Sequence, residues 1–123
     1  FTSYAAAKKG LYANYEGKTD QGRFRIHHDS SDIGKFKVPS LRNLPLTYPY
    51  MHDGRFATLE QVVEHYNSGI KAHPTLSPAL TDANGNPVQL NLTSTEKAAL
   101  VAFLKTLTDN SVSTETKWSN PFK

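Results

Sequence analysis

The 123-residue chain has no cysteine, one methionine and one tryptophan. Without cysteine these residues cannot form a disulfide, a cysteine-ligated metal site or a cysteine nucleophile. No run of 18 or more apolar residues is present, so the sequence predicts no membrane-spanning helix. Concentrated charge is also missing, because 14 Lys and Arg stand scattered among 11 Asp and Glu, for a net charge of +3. Such mild basicity does not point to nucleic acid and is compatible with an acidic partner.

The length predicts one domain, residues 1–123, with a core so modest that a bound group or a partner would help to stabilise it. The chain begins Phe1-Thr2-Ser3, without an initiator methionine or a signal-peptide pattern. We therefore expect a processed chain or a piece of a longer one.

A first helix is predicted at about residues 58 to 68. The hydroxyl of Thr58 can cap it, Gln61 completes a capping box, and Gly69 is placed to end it. Its apolar face follows the i, i+3, i+4, i+7 pattern through Leu59, Val62, Val63 and Tyr66.

A second helix is predicted at about residues 94 to 107, with Thr93 as cap and Glu96 as its capping-box partner. Its predicted apolar face comprises Leu100, Phe103, Leu104 and Leu107. We expect the two helices to pack together through Val62, Val63, Phe103 and Leu104.

Long ordered loops are predicted elsewhere, so the fold class is mainly α. A short extended piece is expected at residues 23–26. Three prolines then leave room for at most a single turn, at residues 40–43. Residues 70–92 are predicted to be an ordered loop, and 110–123 a polar tail whose last apolar residues could dock on a surface.

Candidate functional residues are concentrated in the segment 35–66. His52, in a Met-His-Asp-Gly turn, is either an ordinary turn histidine or a ring aimed at a pocket. Spacing alone makes Tyr66 a core residue. Arg42 lies between apolar neighbours and needs an anion, either a protein carboxylate or the acid group of a ligand. Three other histidines, His27, His28 and His65, fit no metal-binding spacing with each other and are expected at the surface.

The string GKFKVPSLRNLPLTYPYMHDGRFATLEQVVEHYNSGI, followed by LNLTSTEKAALVAFLKTL, closely resembles the C-terminal haem domain of the bacterial di-haem cytochrome c peroxidase and MauG family. The resemblance covers roughly residues 10 to 109, with the PSLRN, PYMHDG and helix motifs in order. It implies a cytochrome c-like partial domain, the part that follows a CxxCH haem-attachment motif. That motif would lie a few residues before Phe1, and an N-terminal haem domain would precede it.

The resemblance also implies a haem ligand. In the peroxidases a methionine fourteen positions beyond the histidine of the HDG turn binds the iron, and fourteen positions beyond His52 is Tyr66. A tyrosine there is typical of the MauG-like branch. A phenolate is a hard anionic donor that stabilises Fe(III) and higher states and lowers the potential, whereas a thioether favours Fe(II).

Further site residues follow from the same resemblance. It makes Arg42 a partner for a haem propionate and assigns His52 and Pro39 to the haem pocket without binding the iron. It also implies that the backbone carbonyls of Thr47 and Pro49 contribute to a calcium site between two haems. The implied cofactors are therefore haem c, two in the parent protein, and calcium.

The implied function is that of part of a periplasmic peroxidase-type or MauG-like oxidoreductase, which reduces peroxide or uses high-valent haem to oxidise a substrate. Its implied partners are hydrogen peroxide, the N-terminal haem domain and an electron-donor or substrate protein, and a second copy of the chain is a further candidate. These residues alone contain no catalytic group and are expected to be inactive. The alternative from another class is a haem-free helical interaction module, in which Tyr66 and His52 are core and turn residues.

Overall fold

A computed structural model describes residues 20–118, without the side chains of Ser113 and Trp118. This part of the chain is mainly helical, as predicted. It contains no strand longer than an isolated bridge, and no helix in it is long and apolar enough to cross a membrane. The α-helices are α1 (Phe24–His27), α2 (Leu59–Glu64), which continues into a π-helical turn (His65–Gly69), and α3 (Ser94–Thr106). Short 3₁₀ turns lie at Ser30–Asp32, Leu44–Leu46, Pro78–Leu80, Asn110–Ser113 and Thr116–Trp118.

Both predicted capping boxes form. At the start of α2 the Gln61 backbone N–H donates to the Thr58 hydroxyl over 3.2 Å, and the Gln61 side chain accepts from the Thr58 N–H. At the start of α3 the Glu96 N–H donates to the Thr93 hydroxyl over 3.3 Å, and the Glu96 carboxylate accepts from the Thr93 N–H over 2.8 Å. These bonds satisfy backbone donors that a helix start leaves without partners, which fixes where each helix begins.

The core lies between α2 and α3. Its buried side chains are Leu59, Val63, Val101 and Leu104, and Leu44, Tyr50 and Leu107 pack against them. The predicted packing is therefore correct for Val63 and Leu104 and wrong for Phe103, whose exposed fraction is 56%. Because successive residues of a helix are rotated by about 100°, Phe103 lies roughly 200° around the axis from buried Val101.

Ion pairs join the same two helices beside this core. Lys97 Nζ lies 2.7 Å from Glu64 Oε2, and Lys105 Nζ lies 3.6 Å from Glu60 Oε1. The more exposed second pair contributes little to stability. The first belongs to a larger network around the π turn.

One loop prediction is corrected. Residues 24–27 form helix α1 rather than an extended piece, because the chain bends at Gly22 (φ +60°) and the His28 N–H closes a helical turn on the Phe24 carbonyl. At residues 40–43, where at most a single turn was expected, a turn covers residues 42 and 43 and leads into the 3₁₀ turn at Leu44–Leu46. There Pro45 occupies the first turn, where its missing N–H costs nothing, and the Asn43 N–H donates to the Leu107 carbonyl.

Residues 70–92 form an ordered loop with the Pro78–Leu80 turn, as predicted. The polar tail contains two 3₁₀ turns up to residue 118. The expected docking of its last apolar side chains concerns Trp118, Pro121 and Phe122, which lie outside what the structure describes.

Candidate functional site

The His-Asp-Gly turn is closed by backbone hydrogen bonds. Tyr50 and Phe56 pair as an isolated antiparallel bridge, with N···O distances of 2.7 and 3.4 Å, and the Gly54 N–H donates to the Met51 carbonyl over 3.2 Å. Met51 and Gly54 both have positive φ, 72° and 67°. The turn therefore has one defined shape, and it leads directly into the start of α2.

Asp53 and Arg55 form an ion pair inside this turn. The Arg55 Nε–H donates to both carboxylate oxygens, over 2.9 and 2.8 Å, and Nη2 makes a further contact. Burial of Asp53 acts to raise its pKa, but the hydrogen bonds and charge of Arg55 outweigh burial and hold that pKa below its ordinary value. The carboxylate consequently stays ionised and helps to fix the turn.

His52 is an exposed residue of the turn whose ring stacks on Phe36, with centroids 3.9 Å apart and planes 21° from parallel. The stack connects the turn to the segment that precedes the Pro-Ser-Leu-Arg-Asn motif. His52 is thus a turn residue whose ring has a packing partner.

Tyr66 is half-buried in the π-helical turn that follows α2. Its ring meets His65 edge to face at 5.3 Å, and His65 in turn lies 5.3 Å from Phe56. His65 is half-buried, so its expected surface position is wrong, and burial, aided by the charges of Arg55 and Lys71, lowers its pKa. A neutral aromatic ring is therefore held between Tyr66 and the His-Asp-Gly turn.

Asn67, next to Tyr66, is a buried polar residue with an exposed fraction of 6%. Its side-chain oxygen accepts from the Leu92 N–H over 2.7 Å, and its backbone carbonyl accepts from the Leu90 N–H over 2.9 Å. Its side-chain amide donates to Glu64 over 3.3 Å. The π turn is thus tied to the loop that leads into α3.

The remaining predicted site residues lie on the exposed part of the segment 39–49. Arg42 and Pro39 are exposed, and within residues 20–118 the Arg42 guanidinium has no ion-pair or hydrogen-bond partner. The protein carboxylate that the sequence allowed as a partner of Arg42 is therefore not found among the described residues. Thr47 and Pro49 are also exposed, and no hydrogen bond among the described residues uses their carbonyl oxygens.

These residues suit a haem better than a metal ion bound by side chains. Residues 20–118 contain no group of three or more His, Cys, Asp or Glu side chains able to hold a metal. They do present a half-buried phenol, a guanidinium available to an acid group, and large exposed apolar side chains at Val38, Leu41, Leu46, Leu100 and Phe103.

A separate cleft of about 460 Å³ lies between α2 and α3. It is lined by Val63, Val101, two alanines of α3 and the charged residues of the two interhelical ion pairs. Tyr66 does not line it, so the cleft is distinct from the candidate haem site.

Three residues of this region have roles that the sequence did not predict: Phe36, His65 and Asn67. The stacking of Phe36 on His52 could not be predicted from residue periodicity, because it joins two loops. The burial of Asn67 could have been predicted, because Asn67 continues the four-residue spacing of the buried Leu59 and Val63.

Comparisons with known proteins place this geometry in a fold class. The crystal structure of a MauG-like protein associated with microbial copper homeostasis superposes with a TM-score of 0.66 at 45% sequence identity, covering 84% of this chain and 33% of that one. No family model matches the chain. The described part therefore has the helical fold of a MauG-like protein.

Curated relatives agree with the structural comparison. Cytochrome-c peroxidase IdrP2 of Denitromonas iodatirespirans is 42% identical over 85% of this chain, and cytochrome c551 peroxidase of Nitrosomonas europaea is 40% identical over 82%. MauG of Paracoccus denitrificans, a methylamine utilization protein, is 40% identical over 89%. Over the matched residues the chain belongs to the cytochrome c peroxidase and MauG family. It spans 25%, 25% and 35% of the lengths of these three relatives.

Proposed function

We propose that the chain is the haem-ligating part of a peroxidase-type or MauG-like oxidoreductase, with Tyr66 as the axial ligand of a haem c. One observation carries the proposal. The chain is homologous to these enzymes, and its half-buried phenol stands fourteen residues after His52, in a π turn. Single π turns in α-helices are frequently found at functional sites.

Tyr66 determines the chemistry that such a site favours. An anionic phenolate oxygen stabilises ferric and higher oxidation states and lowers the reduction potential, whereas a methionine would favour the ferrous state. Haem, when bound, supplies the redox chemistry that peroxide reduction requires. The chain itself contributes the ligand and its orientation, through the His65 ring on one side and the Asn67 hydrogen bonds on the other.

The exposed segment 39–49 would complete the site. Arg42, which has no carboxylate partner among the described residues, would bind a haem propionate, because a guanidinium donates to an acid group through several N–H groups. Pro39 and the fixed ring of His52 would line the pocket. The carbonyls of Thr47 and Pro49 offer oxygen ligands of the kind that calcium prefers, and a calcium site shared with a second haem domain is part of the proposal.

The same proposal assigns the protein to the periplasm, where it would receive electrons from a donor protein or act on a substrate protein, with hydrogen peroxide as oxidant. The chain has no cysteine, so covalent attachment of the haem would use a CxxCH motif outside these residues. An N-terminal haem domain would supply the groups that activate peroxide.

Two substitutions in the intact protein test the ligand. Tyr66→Phe should open a coordination position and change the visible and EPR spectra of one haem, and Tyr66→Met should shift that haem's reduction potential upward. Val112→Ala, at an exposed residue outside the segment 39–49, is the control and should change neither. If spectra and potential of both Tyr66 variants match those of the unmodified protein, the axial assignment is wrong.

A further inference from the structure

We propose that Asn67 is the positioning residue that fixes the Tyr66 side chain. It does so by clamping the π turn to the loop 90–92 and, through Glu64, to α3. Its role toward haem rests on the function proposed above. Its role in holding the phenol is a property of the chain and can be measured separately.

Burial and hydrogen bonding identify Asn67 as a clamp. A polar side chain at 6% exposure is stable only when its donors and acceptors have partners. Here its side-chain oxygen accepts a hydrogen bond from the Leu92 N–H over 2.7 Å, and its amide donates one to Glu64 over 3.3 Å. With the backbone bond from the Leu90 N–H, a single residue holds both the preceding helix and a loop more than 20 positions further along.

Glu64 extends the clamp to the third element. Its carboxylate accepts from the Ser68 hydroxyl over 2.6 Å and from the Lys97 ammonium over 2.7 Å, in addition to the Asn67 amide. The end of α2, the π turn and the first part of α3 are therefore held by one polar network. Removal of the Asn67 side chain would break the bonds to the Leu92 N–H and to Glu64, while the backbone bond from the Leu90 N–H remains.

Tyr66 depends on this network because of the geometry of the π turn. A π turn replaces the regular i to i−4 hydrogen bonds of an α-helix with longer i to i−5 bonds, so contacts with other elements help to fix the direction of its side chains. Tyr66 lies between two anchored neighbours, His65 in ring contact with Phe56 and Asn67 in the clamp. Asn67 is adjacent to Tyr66 and acts on the phenol through the shared backbone, which makes it a positioning residue.

The test uses ¹⁹F NMR of the intact protein carrying 3-fluorotyrosine, with the Tyr66 resonance assigned by its loss in Tyr66→Phe. Asn67→Ala should shift and broaden this resonance and increase amide exchange of residues 65–69 and 90–92 at least tenfold. Glu64→Ala, at an exposed residue, removes the acceptor of the Asn67 amide and keeps the bond to Leu92, so it should change both in the same direction and by less. Should Asn67→Ala fail to fold, the shift in Glu64→Ala decides.

Val101→Ala is the matched control, because it removes buried contacts between α2 and α3 away from the π turn. It should lower global stability while leaving the Tyr66 resonance unchanged. If Asn67→Ala lowers stability but leaves the resonance and the exchange of these segments as in Val101→Ala, Asn67 is a structural residue only and the inference fails. The ligand assignment fails separately, if Tyr66→Phe leaves the haem spectra unchanged.

Discussion

Gly54 shows how one residue fixes the candidate site. Its φ of +67° is costly for any residue with a Cβ, and a Cβ built there would lie 3.1 Å from Pro49 Cγ. The glycine therefore lets the His-Asp-Gly turn close against the proline that precedes Tyr50. The sequence predicts a turn at Gly54, but it does not predict the contact with Pro49.

Alanine substitutions at two glycines separate these effects. Gly85 has φ +81° and open space where a Cβ would lie, so Gly85→Ala should lose only about 1 to 2 kcal/mol from its backbone conformation. Gly54→Ala adds the contact with Pro49 and should lose more, on the order of 2 to 3 kcal/mol. Urea unfolding of both variants measures the difference. An equal or smaller loss in Gly54→Ala would show that Pro49 does not restrict the turn.

Acid should weaken the same turn through Asp53. Because its folded pKa is lowered below 3.8, the ionised carboxylate contributes stability above that pH, and this contribution is lost as the pH falls through the folded pKa. Asp53→Asn should therefore lose less stability than the unmodified protein between about pH 5 and about pH 3. Asp20→Asn, remote in sequence from the turn, is the control. Identical pH profiles for Asp53→Asn and the unmodified protein would contradict a stabilising Asp53–Arg55 pair.

Helices α2 and α3 were predictable because their starts carry strong local signals. Thr58 with Gln61 and Thr93 with Glu96 form the expected capping boxes, which depend only on neighbouring residues. The buried face of α3 was not predictable from side-chain size. Size favours the larger Phe103 for the core, yet Val101 is buried there, because the orientation of a helix about its axis depends on its partner.

The π geometry after α2 was not predictable, although Asn67 continues the four-residue spacing of Leu59 and Val63. The hydrogen-bond partners of Asn67, Leu90 and Leu92, lie far along the chain. Tertiary contacts of this kind determine the local geometry of the site, and a pattern of neighbouring residues does not contain them. The resemblance pointed to Tyr66, whereas its contact with His65 and the bonds of neighbouring Asn67 come from the structure alone.

Adjacent substitutions in α3 test the assigned face. Leu104→Ala removes a buried side chain and should cost about 2 to 5 kcal/mol of unfolding free energy. Phe103→Ala removes a side chain that is 56% exposed and should cost less than about 1 kcal/mol in this chain. Thermal or urea unfolding of the two variants gives the comparison. The reverse order of costs would mean that α3 presents its other face to α2.

At the scale of the whole molecule, the chain corresponds to a quarter to a third of its relatives' lengths. In the enzyme proposed above, a haem and a second domain would cover large apolar side chains that this part of the chain leaves exposed. The homology supports the function proposed above over the haem-free interaction module. A haem-free helical interaction module needs neither a phenol in a π turn nor an arginine available to an acid group.

The visible absorption spectrum of the intact protein, recorded before and after acid extraction of noncovalent haem, tests the central claim most directly. We predict a Soret band that persists after extraction, because a haem c stays covalently attached to its protein. A protein with no Soret band, isolated from cells that make other c-type cytochromes, would contradict the account and favour the haem-free interaction module.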